Sequence, residues 1–292
     1  MNTTKILVPA YQYPNPARNW DLVVSAAKVM RREMIVVANS ANGHAVDPVT
    51  GDYLDPDPHY VTAIRRVKSE CSQVIGYVFD CYGNTGTDGL CPRENLNVVL
   101  DDVARWYEVY DVDGIFVDQV NKDAARGVEL VTGIRARDPN ATIVLNLGSI
   151  PDERYVDAVA PAIVLIQEQT FDYFGSQFPS DAWVATRQGD TGGVDSGRLA
   201  IIGHSGHAVS DLEKVLTAAK RYRIGWVYGQ HLSGPIYNEI SAHLPELAQR
   251  LDPCRSAAPW NRLLCRLKRQ LACRLPLLAL PRLSLRNRSN GA

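Results

Sequence analysis

The segment KILVPAYQYPNP (residues 5–16) decides the fold. Its apolar start reads as a short strand. An open, doubly wound sheet would carry a Gly-rich phosphate turn directly after that strand. Here the turn reads AYQYPNP and contains no Gly. Seven more apolar runs follow, at 34–40 (MIVVANS), 73–79 (QVIGYVF), 114–119 (GIFVDQ), 142–148 (TIVLNLG), 162–168 (AIVLIQE), 199–204 (LAIIGH) and 224–230 (IGWVYGQ). Helical patterns lie between them, near 17–32, 59–70, 95–109, 122–137, 152–159, 211–222 and 241–251, while 171–198 reads as irregular. Eight near-continuous apolar strands, each followed by a helix, over about 250 residues, predict a closed (β/α)8 TIM barrel. Pro16 suits the start of the first helix, Pro139 ends the fourth, and Ser210 is placed to cap the seventh.

The rest of the composition agrees with a globular body. The chain has 292 residues, 46% of them apolar and 22% charged, which excludes fibrous and largely disordered classes. It lacks a run of about 18 apolar residues, so no spanning helix is expected. The net charge of −1 hides an asymmetry. Residues 253–292 hold nine Lys or Arg and no acid, which leaves the first 252 residues at −10. An acidic body is a poor match for a nucleic-acid backbone. We therefore divide the chain into a barrel, 1–252, and a basic C-terminal extension, 253–292. Within the extension Trp260, Leu263, Leu264, Leu267 and Leu271 form one helical stripe, with Arg262, Arg266 and Arg269 off it. Such a helix suits an anionic membrane surface or packs back on the barrel, and from Arg286 onward the chain reads as disordered.

None of the six cysteines forms a C-x-x-C pair. Cys81 and Cys91 flank a Gly-rich loop, and stand as a bridge in an oxidising compartment or as free thiols. The opening MNTTKILVPAYQYP has too short an apolar run for a signal peptide, so a cytoplasmic or non-classically exported protein is expected.

Barrel enzymes place their chemistry at the C-terminal ends of the strands. Those ends offer Tyr11, Asn39, Asp80, Tyr82, Asp118, Gln119, Asn146, Glu168, His204 and Tyr228. Phosphate-binding Arg, Lys and Gly-rich turns are missing there, and no cofactor is expected. Phenols, amides and two acids suit a sugar: rings stack on its C–H faces, amides fix hydroxyls, and carboxylates move protons and stabilise charge. Asp118 closes the buried run GIFVD on the same strand face as Phe116, and Glu168 closes AIVLIQE; each alternatively serves structure, as a helix cap or a rim salt bridge. His204 and His207 are spaced H-x-x-H without a third ligand, so no metal is expected. There is no G-x-S-x-G elbow and no Cys beside a base.

Taken in order, LVPAYQYP-x8-W (7–20), VVAN-x3-G (36–43), DPDPHYVTAI (55–64), VIGYV-x3-YG (74–83), YDVDGIFVD (110–118) and VYGQHLSGPIYNEISAHLP (227–245) resemble the spherulin-4 family. The resemblance implies a (β/α)8 fold and a glycoside hydrolase acting on α-1,4-linked galactosamine or N-acetylgalactosamine polysaccharide. It implies catalytic roles for Asp118 and Glu168. The remaining strand-end residues, Tyr11, Asn39, Asp80, Tyr82, Gln119, Asn146, His204 and Tyr228, are expected to bind substrate. The family's fourth strand usually ends in Asp-Glu, but here it ends in Asp118-Gln119. A Gln can serve neither as acid nor as base, so a non-catalytic carbohydrate-binding protein on the same barrel is the alternative.

Overall fold

The computed structural model describes residues 4–14, 20–40, 55–83, 95–179, 183–186, 195–255 and 258–274. Pro16, Cys91 and the chain after Arg274 lie outside them. Eight strands, β1 (Lys5–Ala10), β2 (Met34–Ala38), β3 (Gln73–Phe79), β4 (Gly114–Asp118), β5 (Thr142–Asn146), β6 (Ile163–Thr170), β7 (Leu199–His204) and β8 (Trp226–Gly229), close into one parallel barrel in sequence order. The helices are α1 (Asp21–Met30), α2 (Pro58–Lys68), α3 (Leu96–Tyr110), α4 (Ala124–Arg137), α5 (Glu153–Ala158), α6 (Phe171–Ser176), α7 (Trp183–Thr186), α8 (Leu212–Tyr222), α9 (Leu244–Leu251) and α10 (Pro259–Arg274). The (β/α)8 expectation holds.

Local chemistry sets the boundaries. Asp57, Asn95, Asp123 and Asp152 each accept a backbone N–H at the start of α2, α3, α4 and α5, satisfying donors that the first turn leaves unpaired. The described residues of 171–198 are less irregular than the composition suggests. Thr170 caps α6 by accepting from the Tyr173 N–H, and Phe171 and Phe174 of that helix are buried. Ser210 does not cap α8. A 3-10 turn over Val209–Asp211 leads into the helix instead, and Asp211 takes the Ala208 N–H at 3.1 Å.

The register sorts side chains into an inner and an outer set. Tyr77 pairs with Phe116, Phe116 with Val144, and Val144 with Ile163. Directly paired residues share a face, so these four point into the barrel with Asp118 and Asn146, two residues on. Gly76 and Val78 point outward. The outer face is tight, because a Cβ on Gly76 would lie 2.3 Å from the Trp106 ring of α3. The Trp106 indole N–H also donates to the Tyr77 carbonyl at 2.8 Å.

The tail helix α10 lies against the N-terminal pole of the barrel, near the starts of β2 and β3. It is held by its basic side: Arg266 pairs with Asp252 at 2.7 Å, and Arg269 donates to the Met30 carbonyl at 2.7 Å. Met30 ends α1, where carbonyls lack helical partners and the dipole favours a cation. Leu263, Leu264, Leu267 and Leu271 consequently face solvent. The helix thus packs on the barrel, with those four leucines turned away. No helix among the described residues is long and apolar enough to cross a membrane. Cys254 and Cys265 form a disulfide at the root of α10, which the cysteine spacing did not announce. Cys81 is also disulfide-bonded.

Candidate active site

Asp118 and Glu168 come together at the mouth of the barrel, joined by Asn146. The Asn146 Nδ2 donates to Asp118 Oδ1 at 2.7 Å and to Glu168 Oε2 at 2.9 Å. The two bridged oxygens therefore lie no more than about 5.6 Å apart, the sum of those lengths. The orientation of the amide is fixed from its other end, where Asn146 Oδ1 accepts the Gly148 N–H at 2.9 Å.

A bulge in β6 makes this meeting happen. Leu165 pairs with Asn146 on one side and Ala200 on the other, so it points inward. Strict alternation would then turn Gln167 inward and Glu168 outward. Between Leu165 and Gln167 the register slips by one residue, and Glu168 pairs with Ile202, two residues beyond Ala200. The extra residue re-aims the carboxylate into the mouth.

Each acid sits in its own hydrogen-bond set. Asp118 Oδ1 also accepts its neighbour's Gln119 N–H at 2.9 Å, and Oδ2 accepts the Tyr77 hydroxyl at 2.7 Å. Three donors around one carboxyl suit an acceptor-only carboxylate. Glu168 Oε1 accepts a short hydrogen bond from the Tyr237 hydroxyl. Burial pushes the Glu168 carboxyl above the usual carboxylate range, the bonds from Tyr237 and Asn146 pull it back, and the Asp118 charge adds to the rise. Burial first, then the Glu168 charge, pushes the Tyr237 phenol well above its ordinary value, so it remains a donor. Tyr11 packs between Tyr77 and Tyr237, with ring centroids 5.2 and 4.9 Å away.

The other expected substrate contacts are placed as follows. Tyr82 is 56% exposed. It lies in a left-handed turn, Cys81–Gly83, with φ of 51°, 59° and 62°, beside Gln119 at 53°. The Tyr82 N–H donates to the Gln119 carbonyl, and the Tyr82 carbonyl accepts from Asn121 Nδ2 at 2.9 Å. Such conformations persist only where neighbours hold them, and here they leave the Tyr82 ring exposed on a turn bonded to Gln119. His204 is half-buried at the end of β7, bonded to Ser205 Oγ at 2.9 Å, and burial lowers its pKa. Asn39 is buried, and its backbone carbonyl accepts the Tyr60 hydroxyl.

Two expectations need correction. Asp80 was expected among the substrate contacts, but it follows Gly76 and Val78 on the outer face. It is 0% exposed, and Arg126 of α4 chelates it at 2.6 and 3.0 Å. Period-two alternation, which puts Asp118 inside, puts Asp80 outside. Arg126→Ala would remove the cation from this buried carboxylate, and we expect a loss of roughly 3–5 kcal/mol in urea unfolding. Tyr228 does point inward, but it is 0% exposed, and its hydroxyl accepts the Ser241 N–H at 3.0 Å. It supports the wall of the site and offers no surface to a ligand. The sequence reading missed Tyr77 and Tyr237. Tyr77 could have been found, since its alternation matches that of Asp118. Tyr237 comes from the loop after β8, and no local pattern marks it.

The family model of spherulation-specific family 4 matches residues 5–251. Among solved structures, the chain is similar to Aspergillus clavatus Sph3 in complex with GalNAc, with 22% identity, a TM-score of 0.67, and coverage of 86% of this chain and 98% of that one. It is also similar to a catalytic-site mutant of active domain 2 of the thermostable chitinase from Pyrococcus furiosus, complexed with chito-oligosaccharides. There the identity is 10%, the TM-score 0.52, and the coverage 88% and 99%. At these identities the likeness establishes the barrel. No curated protein sequence matches the chain.

Proposed function

The chain belongs to spherulation-specific family 4, and from that premise we propose that it is a glycoside hydrolase acting on α-1,4-linked galactosamine or N-acetylgalactosamine polysaccharide. The observation that carries the reading is the Asn146 bridge between Asp118 and Glu168. The amino-sugar class is supported by the GalNAc bound to the Aspergillus clavatus relative.

The geometry favours retention of configuration. Retaining pairs stand about 5–5.5 Å apart, whereas inverting pairs need about 6.5–9.5 Å to admit a water. In this mechanism Glu168, whose pKa burial raises, acts as the acid and gives its proton to the glycosidic oxygen. Asp118 attacks the anomeric carbon as the C–O bond breaks, forming a glycosyl ester. Glu168, now a carboxylate, takes a proton from water, which displaces Asp118 and releases the sugar. Tyr77, Asn146 and the Gln119 N–H hold Asp118 in line throughout. NMR of the first products should then show the substrate's own α anomer, later mutarotating. Initial β product would overturn retention.

One feature favours a second reading, a non-catalytic binding protein: Gln119 follows Asp118 where the family resemblance implies a Glu. Product analysis on N-acetylated and de-N-acetylated galactosamine polymers separates the two. We expect oligosaccharide release by the natural chain. Release only after Gln119→Glu would establish the binding reading instead.

A further inference from the structure

Two cysteines outside the active site meet across the joint between the barrel and the tail helix. Cys71 sits in the turn from α2 into β3, with its N–H on the Lys68 carbonyl at 2.9 Å and φ at 65°. Cys273 sits in the last turn of α10, about two hundred residues later. Both are free thiols, both are half-buried, and their chain neighbours Ser72 and Ala272 bond to the adjacent residues Arg31 and Arg32. We propose that Cys71 and Cys273 are an oxidisable pair whose disulfide straps the far end of α10 to the N-terminal pole of the barrel.

The surroundings hold both cysteines to one anchor, the short segment Met30–Arg32. Ser72, next to Cys71, donates its hydroxyl to the Arg31 carbonyl at 2.9 Å. Arg32 reaches the Ala272 carbonyl, next to Cys273, at 3.1 Å. Arg269, one helical turn earlier, donates to the Met30 carbonyl at 2.7 Å. Such preorganisation favours closure, because the entropy of bringing the ends together is already spent by noncovalent contacts. The near end of the helix is already crosslinked by Cys254–Cys265, at a Cα separation of 5.9 Å. The second bond would fix α10 at both ends.

Closure is a disulfide exchange with an oxidant of the disulfide class, such as oxidised glutathione. One cysteine thiolate attacks the oxidant, forming a mixed disulfide and releasing one glutathione thiol. The partner cysteine then attacks the protein sulfur of that mixed disulfide and releases the second. Two protein thiols lose two electrons and two protons, and the oxidant's disulfide is reduced to two thiols. Burial, then the nearby Cys273 thiol, pushes the Cys71 thiol up to about 11, so the pair waits as thiols until a disulfide donor arrives. Reduction would leave the end of α10 held only by the Arg269 and Arg32 hydrogen bonds.

Peptide mapping of the full chain tests this directly. The protein is equilibrated with oxidised glutathione, its remaining thiols are alkylated, and it is digested with trypsin without reduction. Cleavage after Arg269 isolates QLACR (270–274), and cleavage after Lys68 and Arg93 isolates 69–93. We expect QLACR joined to 69–93, two hydrogens lighter than the sum of its parts, and freed in Cys71→Ser. Finding QLACR alkylated while the Cys254 and Cys265 peptides remain joined would overturn the pair, since that bond certifies the oxidising conditions. A link that survives Cys71→Ser would overturn it as well, because Cys71 would then not be the partner. Hydrogen exchange over 266–274 should be slower in the oxidised protein than in Cys273→Ser, and equal rates would overturn the strap.

Discussion

Asp118→Asn is expected to lower kcat for polymer cleavage by at least about a thousandfold, ~4 kcal/mol of transition-state stabilisation. An amide cannot form the glycosyl ester, and the second half of the reaction then has nothing to hydrolyse. The variant should still fold, for a reason visible in its donors. Oδ1 accepts from both Gln119 N and Asn146 Nδ2, so the Asn carbonyl takes that place. Its NH2 then falls where Oδ2 was, facing a Tyr77 hydroxyl that can turn and accept. An unchanged urea midpoint with activity lost is the expected pair of results. Retained cleavage would remove Asp118 from the chemistry.

Glu168→Gln is expected to cost about 10²–10⁴ in kcat, the usual worth of a positioned proton donor. The loss should be smaller on an aryl glycoside whose leaving group departs without protonation. The pH profile carries the sharper test. Glu168 must be protonated at the start, so activity falls as pH rises through its pKa, which burial sets above the ordinary carboxylate value of about 4.3. Tyr237 donates to the charged form and lowers that pKa. Tyr237→Phe removes the bond, raises the pKa further, and should move the alkaline limb of kcat/KM to higher pH. A limb that stays in place or moves down would reject Glu168 as the acid. The sign also governs stability. A carboxyl with a raised folded-state pKa favours the fold at low pH, and that contribution is lost as pH climbs through the folded value.

A stability change and a catalytic change should separate cleanly between the two faces of the barrel. Arg126→Ala acts on the outer face through Asp80, whereas Asp118→Asn acts inside, although Phe79, next to Asp80, pairs with Asp118 in the sheet. The distinction follows from one residue of offset, and it was available before any coordinates. VIGYVFD puts Tyr77 and Asp80 on opposite faces by alternation, and the pairing of β3 with β4 then sets Tyr77 on the face of Asp118. The tail was less legible. Its stripe of leucines was plain, but which side faces the barrel depended on Met30 and Asp252, residues that only packing brings to Arg269 and Arg266.

The sequence by itself determined the barrel, since eight apolar strands without a phosphate turn leave few other closures, and it determined that Asp118 shares a strand face with Phe116, since alternation is a local rule. Only the tertiary structure turned that face inward and brought Glu168 to it. Its aim depends on a register slip between β6 and β7, and a slip belongs to the pairing of two strands, so neither strand read singly contains it. The same holds for Tyr237, sixty-nine residues beyond the glutamate it touches. The chain brings the two into contact only by closing the barrel.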